Sequence, residues 1–424
     1  MGNNVNLKST RFFALTALAV TLPLPALCQD TRTGELSKLR LKHVQTLTPE
    51  QTSGTERFLR KLKDEHIFER INYGYNGLSV KVGGLVTGGG LAVGPQYARD
   101  DLKGGTVTIR ASAQVSPKKY QKAEIQLSLP KLASGYLDFS LHAAHRNYPG
   151  INYYGPGPES PKTRTNYRLE DTSVDAALAF TPAKFFKVGA AAGMLLVNAG
   201  PGTDRRYIST DLAFAQQPLS GLNRQTKFRR YGGFGQFDWT DDPLGPRQGG
   251  NYVLQYTRFE DNDIRLHDFN MIDVDLQQYL GLFNRSRVIA LRAHTRLTDT
   301  RAGQSVPFYL QPVAGGSEEM RGFRPFRFSG NNSLVLNGEY RWAIFSGLDG
   351  ALFADAGKVF DRRRQLNLHN LELSTGFGLR FNARNQTFMR FDAGFSHEGF
   401  QVWFKFTDVF QRRPLGTADS QPIL

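Results

Sequence analysis

Leu334-Val335-Leu336-Asn337-Gly338-Glu339-Tyr340-Arg341-Trp342-Ala343-Ile344 reads with a period of two. Leu334, Leu336, Tyr340, Trp342 and Ile344 share one face, and Asn337, Glu339, Arg341 and Ala343 share the other. A helix would carry those apolar side chains round to all sides, whereas a strand keeps them together. The polar face holds a carboxylate and a guanidinium, and the apolar face ends in aromatic residues. Apolar outside, polar inside and aromatic near the ends is the pattern of a strand with lipid on one side and a wet lumen on the other. The rival reading is a soluble all-β sandwich.

The same alternation runs outward in both directions. Val107, Ile109, Ala111, Ala113 and Val115 alternate with Thr108, Arg110, Ser112 and Gln114. Leu371, Leu373, Phe377, Leu379 and Phe381 alternate with Glu372, Ser374, Gly376, Gly378 and Arg380, and Phe400, Val402, Phe404 and Phe406 with Gln401, Trp403 and Lys405. Strand-like runs fall near 74–83, 87–98, 105–116, 120–130, 135–147, 166–181, 184–196, 226–239, 250–262, 267–281, 286–299, 331–345, 348–359, 371–383, 386–397 and 400–411. The fold expected is therefore all-β, a 16-stranded antiparallel transmembrane β-barrel over residues 73–411. Turns on one side are short, such as Phe283-Asn284-Arg285 and Phe345-Ser346-Gly347. Connections on the other are long, such as 148–165, 198–226 and 301–330. Barrels of the bacterial outer membrane have short periplasmic turns and longer outer loops, which places 301–330 in the sixth outer loop. Past the N-terminus, no apolar run reaches the roughly 18 to 20 residues of a spanning helix.

The N-terminus reads as a signal peptide over residues 1–28. Lys8 and Arg11 precede an apolar stretch from Phe12 to Leu22, and Ala26-Leu27-Cys28 offers a cleavage site. The alternatives are acylation of Cys28 or an apolar helix. Cleavage after Cys28 removes the only cysteine, and with it disulfide and thiolate-metal chemistry. It also removes two cations, taking the formal charge from +15 to +13. In an exported chain that balance points to the phosphates of outer-membrane lipids, lipopolysaccharide included, and away from nucleic acid. Residues 29–72 are charged and lack strand alternation. Thr55 caps an expected helix from Glu56 to about Arg70, in a short periplasmic or plug segment that is partly helical or disordered. Residues 412–424 form an expected polar tail.

The loop before the opening run reads Gln311-Pro312-Val313-Ala314-Gly315-Gly316-Ser317-Glu318-Glu319-Met320-Arg321-Gly322-Phe323-Arg324-Pro325-Phe326-Arg327-Phe328. After it come Gly338-Glu339-Tyr340-Arg341, Phe353-Ala354-Asp355-Ala356-Gly357 and Gly376-Phe377-Gly378-Leu379-Arg380. In this order and spacing the set resembles the BamA/TamA superfamily of outer-membrane assembly and secretion barrels, the bacterial surface antigen family. Upstream, Tyr153-Tyr154-Gly155-Pro156-Gly157 resembles that family's aromatic-Gly-x-Gly loop, and Asp241-Asp242-Pro243 to Gly249 its Asp-Pro-Gly turn. The resemblance covers about residues 225–410 and weakens back to about 85. It implies that Arg321, Gly322 and Phe323 fold back into the lumen and latch onto Glu339 and Asp355, with Arg341 and Arg380 in support. Parity agrees, because Glu339 shares its face with Asn337 and Arg341, and Asp355 with Asp349, Ala351 and Phe353. An arginine fork suits paired carboxylates, and Gly322 is expected to permit a tight backbone course. The alternative is that both carboxylates are ordinary wetted lumen charges.

Three departures accompany the resemblance. The stretch before Tyr73 is too short for a periplasmic transport domain, so a barrel-only member is expected. Phe410 stands where the family ends on an aromatic residue, but a polar tail follows. Asn382-Ala383-Arg384-Asn385 replaces the family's Pro-Gly-Pro turn. No enzyme motif or metal-binding signature is found, and no cofactor is expected. An outer-membrane lipase assembled from separate strands stays open as a third reading. Gly88-Gly89-Gly90 falls in an expected strand and reads as a bend or close packing. Arg205-Arg206 and Arg362-Arg363-Arg364 fall in outer loops as lipopolysaccharide contacts or solvated charge. The function expected by resemblance is insertion or translocation of protein, or of lipid, through a seam between the first and last strands, served by a client or an accessory periplasmic protein. The alternative is a passive channel or structural barrel.

Overall fold

The computed structural model describes residues 76–383, 386–410, 412 and 415–416. The expected signal peptide, the 29–72 segment with its helix, and most of the 412–424 tail lie outside the described residues. One antiparallel sheet of sixteen strands dominates. Its first half is β1 Leu78–Gly84, β2 Leu91–Leu102, β3 Val107–Val115, β4 Gln121–Leu132, β5 Leu137–Tyr153, β6 Thr165–Ala183, β7 Phe186–Pro201 and β8 Arg224–Asp238. Its second half is β9 Gly249–Asp261, β10 Phe269–Leu282, β11 Arg287–Thr300, β14 Asn332–Phe345, β15 Leu348–Phe360, β16 Glu372–Ala383, β17 Gln386–Ser396 and β18 Gly399–Lys405. Two short strands, β12 Val313–Ala314 and β13 Phe328–Ser329, pair within the long loop.

Every neighbouring pair in sequence order forms a ladder, with β11 stepping across the loop to β14. Leu78, Val80 and Val82 of β1, Leu254 of β9, Leu352 of β15 and Phe400, Val402 and Phe404 of β18 are exposed on the outer face. The inner face is charged and self-paired. Arg146 meets Asp171 across β5 and β6, Arg230 meets Asp175, and Arg292 meets Asp275. Water and protein groups satisfy such charges only on the lumen side, so the alternation of the sequence is what fixes the direction of curl.

The ladder stops at β1 and β18, which occupy the two ends of the strand order with no pairing between them. Both are seven residues long, whereas β6 has nineteen. A transmembrane strand needs roughly 9 to 11 residues. Near this seam Lys405 Nζ donates to Thr87 Oγ1 at 3.2 Å.

Several boundaries differ from those read in the sequence. β2 begins at Leu91, not near residue 87, because Gly88 and Gly90 adopt φ of 93° and 86° and close a turn. The glycine run is thus a connection and not part of a strand. β5 extends to Tyr153, past the expected end near residue 147. β18 ends at Lys405, short of the expected 411. There the chain leaves the wall for the lumen. Arg341 holds Asp408 by two bonds of 3.0 Å, Val409 and Phe410 pack on Tyr279, Val288 and Ala290, and Arg412 pairs with Asp238 at 2.6 Å. Leu415 and Gly416 reach Ala177, Ala191 and Phe234. Phe410, expected to end a strand, therefore anchors a strap across the lumen. Deleting residues 409–424 is expected to raise single-channel conductance in planar bilayers several-fold, with folded-form migration retained. Unchanged conductance would mean that the strap seals nothing.

Candidate functional site: the buried arginine–carboxylate network

The long loop between β11 and β14 returns into the lumen. Its apolar first part packs Val306, Phe308, Tyr309, Leu310 and Val313 against wall residues that include Tyr153, Tyr167, Phe228 and Phe269. Burying such side chains stabilises by about 1.5 to 3 kcal/mol each, so the loop is held by a core of its own. Tyr309 and Thr226 share a 2.5 Å hydrogen bond between hydroxyls. The Tyr153-to-Gly157 segment docks on the same loop. Gly157 N donates to Ser329 O at 2.7 Å, and Arg327 binds Ser160 and pairs with Glu398 at 2.8 Å.

Deeper in the lumen, the structure brings Arg321, Glu339 and Asp355 together. Arg321 is 0% exposed, Glu339 2% and Asp355 1%. Arg321 Nε and Nη2 donate to the two Asp355 oxygens at 2.9 and 2.7 Å, and its backbone N–H adds a third bond at 3.0 Å. Arg321 Nη1 donates to Glu339 at 2.5 Å. The guanidinium lies 3.5 Å over the Phe353 ring, where a desolvated cation gains about 2 kcal/mol. Burial opposes the charge on Arg321, but Asp355 and then Glu339 override it and hold its pKa above the ordinary value.

Arg341 and Arg380 also join. Arg341 Nε reaches Glu339 at 2.8 Å, and Arg380 Nε and Nη2 reach it at 2.9 and 2.8 Å. Three arginines thus share one carboxylate. The excess is balanced by two residues that the sequence reading passed over. Asp392 accepts from Arg380 at 2.7 Å and from Arg390, and Asp408 closes on Arg341. The cluster therefore holds four arginines (321, 341, 380, 390) and four carboxylates (339, 355, 392, 408). Arg390 also binds Ser317 O and Glu318. Asn337 donates to Asp355 at 2.9 Å, and Trp403 of β18 donates to Arg321 O at 2.7 Å. Loop, wall, seam strand and C-terminal strap thus meet in one network.

Gly322 sits in this site for lack of space rather than for backbone freedom. A Cβ there would lie 2.5 Å from Ser374 Cβ and 2.7 Å from Phe395 O. Ser396 donates to Gly322 O at 2.8 Å. Phe323 is fully buried with Ala314, Met320, Phe328, Val335 and Val359. Arg362, Arg363 and Arg364 stand apart in the exposed 361–371 loop, where Arg363 approaches Asp299 at 4.0 Å. Among the described residues, no group of three or more His, Cys, Asp or Glu is placed to hold a metal.

A sixteen-stranded sheet with an apolar rim, a charged lumen and an inward-folded loop defines a bacterial outer-membrane β-barrel. The Omp85 superfamily domain matches residues 102–406, well over half the sequence, and the chain belongs to that superfamily. Its fold is similar to BamA from Haemophilus ducreyi lacking POTRA domains 1–3, with a TM-score of 0.59 at 14% identity over 78% of this chain and 70% of that one. It is also similar to CdiB from Escherichia coli, with a TM-score of 0.52 at 15% identity over 78% of this chain and 62% of that one, less than two-thirds of its length. Comparison with curated proteins finds no match.

Proposed function

We propose that this barrel assists insertion or translocation of protein at the outer membrane, with the β1–β18 seam as the working edge and the Arg321 network as the latch that sets its state. The observation that carries this reading is the unpaired seam between two seven-residue strands. Seven residues at about 3.4 Å each reach about 24 Å, less than the roughly 30 Å of a hydrocarbon core. The bilayer must thin there, and two free edges offer the backbone donors and acceptors that an incoming strand needs. Trp403 ties β18 to Arg321, so a change in the loop reaches the seam through one hydrogen bond. The substrate is a polypeptide, an accessory periplasmic protein delivers it, and the barrel itself performs no covalent chemistry.

The lumen, occupied by the loop and by the C-terminal strap, favours this role over that of an open channel. The test is reconstitution into liposomes with an unfolded outer-membrane protein as client. Cysteine pairs scanned along 78–84 and 399–405 are oxidised to close the seam. Client insertion is expected to fall at least tenfold on oxidation and to return on reduction. Full crosslinking with undiminished insertion, or steady high conductance with no stimulation of insertion, would overturn the proposal.

A further inference from the structure

The outer mouth contains a second site, separate from the buried network. A cavity of about 740 Å³ lies between the turns and loops that follow β1, β3, β5 and β7, the long loop, and Gln401 and Trp403 of β18. Six cations line it: Lys118, Lys119, Arg164, Arg205, Arg206 and Arg324. The single lining carboxylate, Asp204, is already engaged. Arg206 binds it at 2.9 and 2.7 Å, and Arg164 lies 3.8 Å away. The Arg206 hydrogen bonds, foremost, hold the Asp204 carboxyl down at about 2. Six cations less one carboxylate leave a formal excess of five positive charges.

Among the described residues that excess is uncompensated. Lys119, Arg205 and Arg324 make no ion pair among the described residues, and Lys118 donates only to Gly88 O. Two further polar groups stand at the wall. The buried Arg164 Nε makes no hydrogen bond among the described residues, and the Tyr154 hydroxyl, on a residue only 1% exposed, faces the Arg324 side chain. Arg164 is nonetheless fixed, with its guanidinium 3.7 Å over the Tyr207 ring. A buried donor left unpaired is costly, so a wall that keeps one gains from a ligand that accepts its hydrogen bond.

The chemistry of the ligand follows from the layout. Guanidinium and ammonium groups suit phosphate oxygens. The cations come from four separate connections, so one compact phosphate does not reach them together. The volume lies within the 300 to 1,000 Å³ typical of small-molecule sites. Asn152, Thr203 and Gln401 on the lining supply hydroxyl partners. We propose that this cavity binds a saccharide carrying two or more phosphate groups. Such a molecule exists free in solution and as the headgroup of a phosphorylated glycolipid. The position beside Gln401 and Trp403 puts the ligand against the seam strand, so its binding is expected to bear on β18. This site does not depend on the seam's proposed role, because it is read from binding alone.

The test uses the full chain in detergent micelles, with titration calorimetry. One arm uses glucose 1,6-bisphosphate, with glucose and inorganic phosphate as controls. The other uses diphosphoryl lipid A in mixed micelles, with its dephosphorylated form as control. At least one phosphorylated probe is expected to bind at least tenfold more tightly than its controls. Arg205→Ala with Arg324→Ala is expected to weaken that binding at least tenfold, while Arg362→Ala, Arg363→Ala and Arg364→Ala together leave it unchanged. Heat-modifiable migration checks that each variant is folded. Binding of the soluble probe alone supports a free phosphosugar, and binding of the lipid alone supports a headgroup. Binding of neither, equal binding of inorganic phosphate, or an equal loss in both variants would overturn the site.

Discussion

Arg321→Ala is expected to abolish the compact, heat-modifiable migration of the folded barrel and to open the 311–328 loop to protease. The two carboxylates respond differently. Glu339 keeps Arg341 and Arg380. Asp355 loses its bidentate fork and retains Asn337 and, where the loop stays in place, one backbone N–H. Breaking one partner of a buried pair typically costs about 3 to 5 kcal/mol, since the remaining charge stays desolvated. That is a large share of ordinary domain stability. Arg321→Lys is expected to rescue little. A single ammonium cannot present two parallel donors to Asp355 while reaching Glu339 with a third. Arg321→Met combined with Asp355→Asn is expected to recover part of the loss, because it removes the stranded charge. Unchanged migration and unchanged protease resistance in Arg321→Ala would remove the latch from the account.

The sequence carried the parity of this site but not its depth. Period-two alternation placed Glu339 and Asp355 on one inner surface, and the strand order made β14 and β15 neighbours. Both features are local, and a strand's pleat leaves them no freedom. Alternation in the last run places Trp403 among polar residues, and Arg390 and Asp392 share one face of the 386–397 run, yet nothing in these runs says what they meet there. Arg390 and Asp392 lie two apart and satisfy each other, so they resemble any self-paired wall charge. Trp403 was the better signal. A large indole among polar lumen residues must cover something, and it covers the Arg321 carbonyl.

The C-terminal strap was illegible for a different reason. Phe404-Lys405-Phe406 continues the alternation, and the contacts that hold the chain inward, Asp408 on Arg341 and Phe410 on Tyr279 among them, are set by tertiary proximity. The phenyl rings of the long loop were equally silent. Val306 to Leu310 has no period of its own, because it packs on side chains from six different strands.

Gly394→Val is expected to displace the loop as fully as Arg321→Ala does, although it leaves every charge in place. Gly394 lies on β17 with its α-carbon against the loop backbone. A Cβ there would stand 2.5 Å from Arg321 O, 2.6 Å from Arg321 C and 2.8 Å from Gly322 N. All three are main-chain atoms, so no side-chain rotation relieves the contact. The loop must retreat, and retreat draws the guanidinium off Asp355 and the carbonyl off Trp403. The control is Gly235→Val on β8, where an added Cβ meets nothing within 4 Å. The expected outcome is protease-sensitive loop residues in Gly394→Val, a smaller effect in Gly394→Ala, and wild-type behaviour in Gly235→Val. The comparison separates fit from charge. If Gly394→Val retains the resistant loop, then the ion pairs hold the loop at a distance its packing does not require, and the latch is electrostatic alone. If it loses the loop with all eight charged groups intact, the pairs form only because β17 leaves the loop backbone room to lie against it.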